Sequence, residues 1–294
     1  MKISSFEDIS KNYDLFLLDL WGVIHDGTNL YPGVIEFLYF LKENNKKVHF
    51  ISNGPRRSEK AIVTLQNLNV SSNLYNALTT SGETFYQYLK KNLLTHIINP
   101  KDKNYYFIGT TKDLGMIDDL GYQKIENINE ANFILNHGPF FDERDRNIEE
   151  EVFKPAIKDQ KIMICVNPDL VVVKQTGEVI DCAGKLAEKY IELGGKVQYF
   201  GKPYKEIYEY IVTEYKFPLN KVLAVGDSFY TDILGANNYG IDSCLVTQGI
   251  FAKDVGSNIS DEQVLQNYNK LCVKYKAKPT YVIHDFKEFK KYKM

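Results

Sequence analysis

The sequence predicts an α/β protein, a doubly wound and mainly parallel sheet carrying an inserted second α/β unit, and three observations lead there. Apolar runs of strand length alternate with stretches of helical period through most of the chain, the pattern of layered α/β folds. Three of these runs end abruptly in polar, reactive residues: Asp19, Ser52-Asn53 and Asp227. Between the second and third lies a long middle region, about Gly82 to Tyr199, that repeats the same alternation on its own.

Leu15 to Leu18 reads as the first strand, halting on Asp19 before Leu20-Trp21-Gly22-Val23-Ile24-His25-Asp26-Gly27. Pro32 to Asn45 reads as a helix, with Pro32 in its first turn and Val34, Ile35, Phe37, Leu38 and Leu41 as its apolar stripe. Val48 to Ile51 is the next strand, ending at Ser52-Asn53-Gly54-Pro55, and Arg57 to Leu68 has one apolar helical face. In the middle region the strand candidates are Tyr105 to Ile108, Phe133 to Leu135 and Ile162 to Val166, the last leading to Asn167-Pro168-Asp169 and the β-rich Leu170 to Val173. Gly201-Lys202-Pro203 then precedes a helix from about Tyr204 to Tyr215. Val222 to Val225 is a short buried strand running into Gly226-Asp227-Ser228; Asp232 to Tyr239 is helical; Ser243 to Val246 and Thr280 to Ile283 close the series. The expected division is a discontinuous core domain, residues 1–80 and 200–294, with residues 81–199 inserted at a surface loop.

Composition narrows the function classes. The 294 residues are 44% hydrophobic and 25% charged, as in ordinary globular domains. The formal charge of −2 provides no field toward nucleic acid or an anionic membrane. The basic end (Lys287, Lys290, Lys291, Lys293) reads as a solvated helix face. The 21 tyrosines lack the basic interleaving of a base-stacking platform. No apolar stretch is long enough to span a bilayer, and Met1 to Asp8 is unlike a secretory signal. Cys165, Cys182, Cys244 and Cys272 form no C-x-x-C pair, so the expectation is reduced thiols in a cytoplasm. The five histidines form no metal-binding pattern.

If the three strands are parallel neighbours, their C-terminal ends meet at one sheet edge, where ligands of open α/β folds bind. Asp19, Asp227, Ser52, Asn53 and Lys202 would then surround one cleft. A carboxylate pair with a further oxygen ligand suits Mg²⁺, a hard cation that takes few protein groups. Ser52 and the N–H groups after it suit a phosphate, although Ser52-Asn53-Gly54-Pro55 also has the composition of a plain turn. Lys202 would supply a point charge to phosphate oxygens and nucleophile together.

These residues resemble the haloacid dehalogenase (HAD) superfamily of aspartate-nucleophile phosphatases, and within it the class IIA branch of nitrophenylphosphatase-like, pyridoxal phosphatase-like and phosphoglycolate phosphatase-like enzymes. Four motifs stand in that family's order: Asp19 to Gly27, Ile51-Ser-Asn53, Gly201-Lys-Pro203, and Gly226-Asp-Ser-Phe-Tyr-Thr-Asp-Ile233. The closing Pro279-Thr-Tyr-Val-Ile-His-Asp-Phe286 resembles that branch too. The insert matches its substrate-capping domain, and Asn167-Pro168-Asp169 is similar to a tripeptide found there.

The resemblance implies a Rossmann-like core and a Mg²⁺-dependent hydrolase of a small phosphorylated metabolite. Asp19 would attack phosphorus and form an aspartyl-phosphate. Ser52, Asn53 and Lys202 would hold the phosphoryl oxygens, and Asn167 and Asp169 would contact substrate from the cap. Asp19, Asp227 and the Trp21 main-chain carbonyl would ligate the metal, with Asp232 behind them. Class IIA relatives also associate through the cap, so a homo-oligomer is an implied partner.

One position departs from the pattern. The family's second Asp, which protonates the leaving group, is Trp21 here, and an indole cannot trade protons. General acid–base help is worth about 10²–10⁴-fold, so slow turnover, or turnover limited to good leaving groups, is expected. His25, and Asp26 beside it, are the candidate substitutes on the same loop. Two alternatives remain: a catalytically impaired protein that binds a phosphorylated ligand, and dehalogenase-type hydrolysis at carbon.

Overall fold

The structure, a computed structural model, describes residues 5–111, 114–251 and 260–291. Met1 to Ser4 and Lys293, which entered the reading of the two ends, lie outside the described residues. Thirteen strands are described. They are β1 (Leu15–Asp19), β2 (Lys47–Ser52), β3 (Ala77–Thr80), β4 (Asn104–Ile108), β5 (Gln123–Ile125), β6 (Phe133–Asn136), β7 (Ile162–Cys165), β8 (Val171–Val173), β9 (Val179–Asp181), β10 (Lys196–Tyr199), β11 (Val222–Gly226), β12 (Asp242–Val246) and β13 (Tyr281–Ile283).

Six of them form one all-parallel sheet in the order β13-β12-β11-β1-β2-β3. Five form a second parallel sheet, β10-β7-β6-β4-β5, and β8 pairs with β9 as an antiparallel hairpin. The expected α/β class is borne out.

Strand β1 is central and every residue in it is buried, as a strand covered on both faces must be. The strand period of two then divides its side chains. Phe16 and Leu18 pack with Val34, Phe37 and Leu41 of the helix Val34–Glu43; Leu15 and Leu17 pack with Ile207 and Ile211 of the helix Lys205–Tyr215. Chain connections leave β1 in opposite directions, toward β2 and β3 on one side and β11 to β13 on the other. That reversal opens a crevice at the C-terminal edge beside β1. The register puts Asp19 opposite Ile51, one residue before Ser52, and Leu18 opposite Val225. Asp227 follows the end of β11 directly.

Predicted and observed elements differ mainly at short, polar strands. Strands β3, β5, β9 and β10 each span three or four residues with no long apolar run, and tertiary pairing makes them strands. The helix expected from Asp232 begins at Leu234, preceded by a wide π turn over Phe229–Ile233. The helix Asp261–Tyr275 was not expected. At the basic end, Lys287 pairs with Asp285 at 2.7 Å and Lys291 with Glu7 at 2.5 Å, consistent with a solvated face. The four cysteines are free thiols, and among the described residues no helix is long and apolar enough to cross a membrane.

His49, on β2, joins three elements under the sheet edge. One ring nitrogen lies 2.8 Å from Thr79 Oγ1 on β3 and the other 3.0 Å from the Tyr215 hydroxyl at the end of the adjoining helix. Burial lowers its pKa from 6.5 to about 3. The unfolded chain therefore binds a proton between these values that the folded chain refuses, so His49 costs stability as pH falls from 6.5 toward 3. We expect His49→Gln to reduce the difference in urea-unfolding free energy between pH 7 and pH 5 by about 2 kcal/mol. An unchanged difference would show that the ring is not held neutral.

Candidate active site

The three strand ends and the Gly201–Pro203 turn converge on a cleft of about 340 Å³. Carboxylate oxygens of Asp19, Asp227 and Asp232 all lie within 4.8 Å of one another, and all three residues are buried. Lys202, 2% exposed, reaches between two of them, with its Nζ 2.5 Å from Asp19 Oδ1 and 2.7 Å from Asp232 Oδ1. Burial by itself would drive Lys202 toward its neutral form. The carboxylates of Asp19 and Asp232 outweigh that penalty and hold its pKa well above the ordinary range.

The carboxylates are less well served. Burial raises Asp19 well above the carboxylate range; Lys202 opposes this, but Asp232 and Asp227 add to it. Burial and then Asp232 raise Asp227 to about 8, against a hydrogen bond from Ile250 N–H at 2.6 Å. Three buried carboxylates thus share one ammonium. A divalent cation would supply the missing charge, and an all-oxygen donor set suits a hard one. The backbone is shaped around Asp227: Gly22, at φ +88°, and Gly249 both lie where a Cβ would overlap its carboxylate. Asp232 is fixed from the other side by Ser228 N–H, 3.1 Å from its Oδ2.

Ser52 ends β2 at the cleft, and its Oγ accepts from Gly54 N–H at 3.1 Å, the compact turn its sequence suggests. Asn53 has a geometry the sequence did not suggest. Its side chain was expected on phosphoryl oxygens, but its Oδ1 accepts from Lys202 N–H at 2.7 Å and its Nδ2 donates to Lys202 O at 3.0 Å and Asp169 Oδ1 at 2.9 Å. The amide is spent on clamping the lysine turn and on reaching the insert.

The insert meets the cleft through Asn167, Asp169 and the β8–β9 hairpin. Asn167 Oδ1 accepts from Asp169 N–H at 3.2 Å, which turns the Asp169 carboxyl toward Asn53. Burial raises Asp169 to about 6; Lys202 and Asn53 pull the other way.

The Trp21 ring lies against Gly27 (φ +88°), where a Cβ would overlap it. Its Nε1–H donates to the Val173 carbonyl of β8 at 3.0 Å. The neighbouring loop grips the same hairpin, because Asp26 Oδ2 accepts from Gln175 N–H at 3.2 Å. Nothing in the first motif's sequence signals this contact with residues far along the chain.

The two sequence-level substitutes for the family's proton donor are both engaged otherwise. His25 Nδ1 accepts from Gly27 N–H at 2.9 Å, and burial lowers its pKa to about 4, so the ring rests neutral near pH 7 and the imidazolium that would act as acid is disfavoured. Burial favours a protonated Asp26, but N–H groups of Asn29, Thr28 and Gln175 outweigh it and keep the carboxylate ionised.

Loss of the Trp21 hydrogen bond should loosen the hairpin without unfolding the core. A neutral hydrogen bond contributes about 1 kcal/mol. We therefore expect Trp21→Phe to speed amide hydrogen exchange in residues 171–181 about fivefold, with the strands of the six-stranded sheet unchanged. A uniform change across the protein would contradict a local latch.

Comparison with known proteins agrees with this architecture. The chain is 26% identical to the 5'-nucleotidase YutF of Bacillus subtilis over 83% of its own length and 91% of that protein. It is 22% identical to the 4-nitrophenylphosphatase of Schizosaccharomyces pombe, over 91% and 95%. Among solved structures, a haloacid dehalogenase-like hydrolase from Brucella suis aligns with a TM-score of 0.78 at 23% identity, covering 97% of this chain and 99% of that one. The 4-nitrophenylphosphatase of Thermotoga maritima aligns with a TM-score of 0.71 at 23% identity, covering 96% and 98%. Models described as haloacid dehalogenase-like hydrolase match residues 16–123 and 138–240, a HAD-hydrolase-like model matches 199–289, and the chain belongs to the haloacid dehalogenase superfamily of hydrolases.

Proposed function

We propose that this protein is a phosphatase that hydrolyses a small phosphorylated metabolite, with Asp19 as nucleophile and residues 81–199 as the cap over a core of residues 1–80 and 200–294. The observation that carries the reading is the buried convergence of Asp19, Lys202, Asp227 and Asp232. That arrangement matches in-line displacement at phosphorus, which asks for an anionic nucleophile, a fixed positive charge and an oxygen-lined cation site in one dry pocket. The many phosphatases among its relatives support the same class of reaction.

Mg²⁺ held by Asp19, Asp227 and the Trp21 carbonyl, with Asp232 beside them, would neutralise the carboxylates and the phosphoryl charge. Lys202 orients Asp19, favours its ionised form against the burial that opposes it, and stays positive while doing so. Ser52, which lines the cleft at the end of β2, would hold the phosphoryl oxygens together with the peptide groups that follow it. Asn53 works through Lys202, holding the lysine turn from both its N–H and its carbonyl. The cap limits water access to the reacting group. With an indole at position 21, activity is limited to good leaving groups such as aryl phosphates unless another proton donor faces the leaving oxygen.

A second reading, binding of a phosphorylated ligand without turnover, is favoured by the commitment of Trp21 to the hairpin. Hydrolysis of 4-nitrophenyl phosphate separates the two. Release that depends on Mg²⁺ and falls roughly 10³-fold or more in Asp19→Asn is expected; binding with no release above background would favour the second reading. Cation binding has its own readout. Mg²⁺ should raise the melting temperature of the wild type by mass action, and Asp227→Asn should remove most of that shift. An equal shift in both proteins would put the ion elsewhere.

A further inference from the structure

Accepting the aspartyl-phosphate reading above, the chemistry lacks a proton donor: the first-motif loop carries an indole at position 21, and near pH 7 His25 rests neutral and Asp26 ionised. We propose that Asp169, brought to the cleft by the insert and seated on Asn53, is the general acid and base of the reaction.

The geometry separates donor from anchor. Asn53 Nδ2 donates to Asp169 Oδ1 at 2.9 Å, a bond the carboxyl can accept in either protonation state. Among the described residues Asn53 is the carboxyl group's hydrogen-bond partner, which leaves Oδ2 to carry the proton. The backbone beneath is tied down by the Asn167 turn and by Gly184 N–H, which donates to Asp169 O at 3.1 Å. A Cβ at Gly184 would overlap the Pro168 and Asp169 carbonyls, so the turn packs against the following helix with no slack.

Asp169 lines the same cleft as Asp19 but comes from the insert rather than from the strand ends. Asp19 attacks phosphorus from the floor of the sheet, so in-line displacement expels the leaving oxygen away from that floor, toward the insert. The groups facing Asp169 explain its protonation behaviour. Lys202 on the core pulls it toward ionisation, while Asp232 and burial push the other way, leaving it at about 6. Asp227 lies near enough to be influenced by it. Tyr230 on the core and Cys182 on the insert also face it, but burial holds both far above neutrality, Cys182 at about 12, so neither competes as donor.

The steps balance. As an Asp19 oxygen bonds to phosphorus, the bond from phosphorus to the leaving oxygen breaks, and the proton on Asp169 Oδ2 passes to that oxygen. The alcohol departs and Asp169 is a carboxylate. Asp169 then takes a proton from water as the water oxygen bonds to phosphorus, the bond to Asp19 breaks, and orthophosphate leaves with both aspartates restored. Because the Asn53 bond spans the core and the insert, the donor is in place only with the insert docked. The Trp21 link to Val173 contributes to that docking. The residue that displaced the family's acid thus helps to hold its replacement.

The test uses Asp169→Asn, which keeps an acceptor for Asn53 and removes only the proton. With 4-nitrophenyl phosphate, rapid mixing should show a burst near one equivalent of 4-nitrophenol followed by turnover at least tenfold slower than wild type. With propyl phosphate, turnover should fall at least 100-fold. In the wild type, propyl phosphate turnover should decline above about pH 6 while the aryl burst rate stays level. Equal losses on both substrates without a burst, or no loss on either, would overturn the proposal, as would a level propyl phosphate profile in the wild type, whether or not the variant folds. Asp19→Asn run in parallel distinguishes the failures: if it retains turnover, the nucleophile reading itself is wrong.

Discussion

The site depends on one buried cation. An ammonium that is 2% exposed is tolerable only beside compensating charge, and Lys202 has two carboxylates at contact distance. Its position is in turn imposed by the Asn53 amide, which reads the lysine's own peptide groups from both sides. Gly201, at φ +111°, lets the turn pass beside Asn53 and Ser81, where a side chain would overlap both. Strand ends from three parts of the chain are thereby drawn to a common point, and the excess negative charge that remains defines what the site must recruit.

The second determinant is the seam between the six-stranded sheet and the insert. It is firm along the helix Ser81–Lys90, where Glu83 pairs with Arg57 and Phe85 packs on Phe200, and lighter around the cleft. Trp21 meets Val173, Asp26 meets Gln175, and Asn53 meets Asp169, each through a single hydrogen bond. Each of these three core-side partners belongs to a segment that also shapes the cleft. Around the cleft the hairpin of β8 and β9 is thus held by a few bonds of modest strength, and segments held so lightly open more readily than the sheets behind them.

The glycines of the site show how closely backbone and carboxylate are fitted. Asp227 has Gly22 on one side and Gly249 on the other, and Gly226 gives Asp232 its space. A methyl group at any of these three would occupy carboxylate volume. The arrangement orients two acidic side chains by shape, together with one backbone N–H on each, from Ile250 and Ser228.

Much of this was legible in the chain by itself. The alternation of apolar runs and helical periods specified an α/β fold, because strands buried on both faces must be almost wholly apolar, and β1 is. The halts at Asp19, Ser52 and Asp227 located the cleft, because a parallel sheet gathers its strand ends along one edge. Short strands such as β3 and β5 were not legible, since their pairing comes from neighbours and not from their own residues. Nor were the roles of Asn53, Trp21 and Asp169, whose partners lie 116 to 152 residues away. Local sequence dictates which residues end a strand; which of them touch, and which proton a carboxyl keeps, is decided by burial and by partners that only the folded chain brings together.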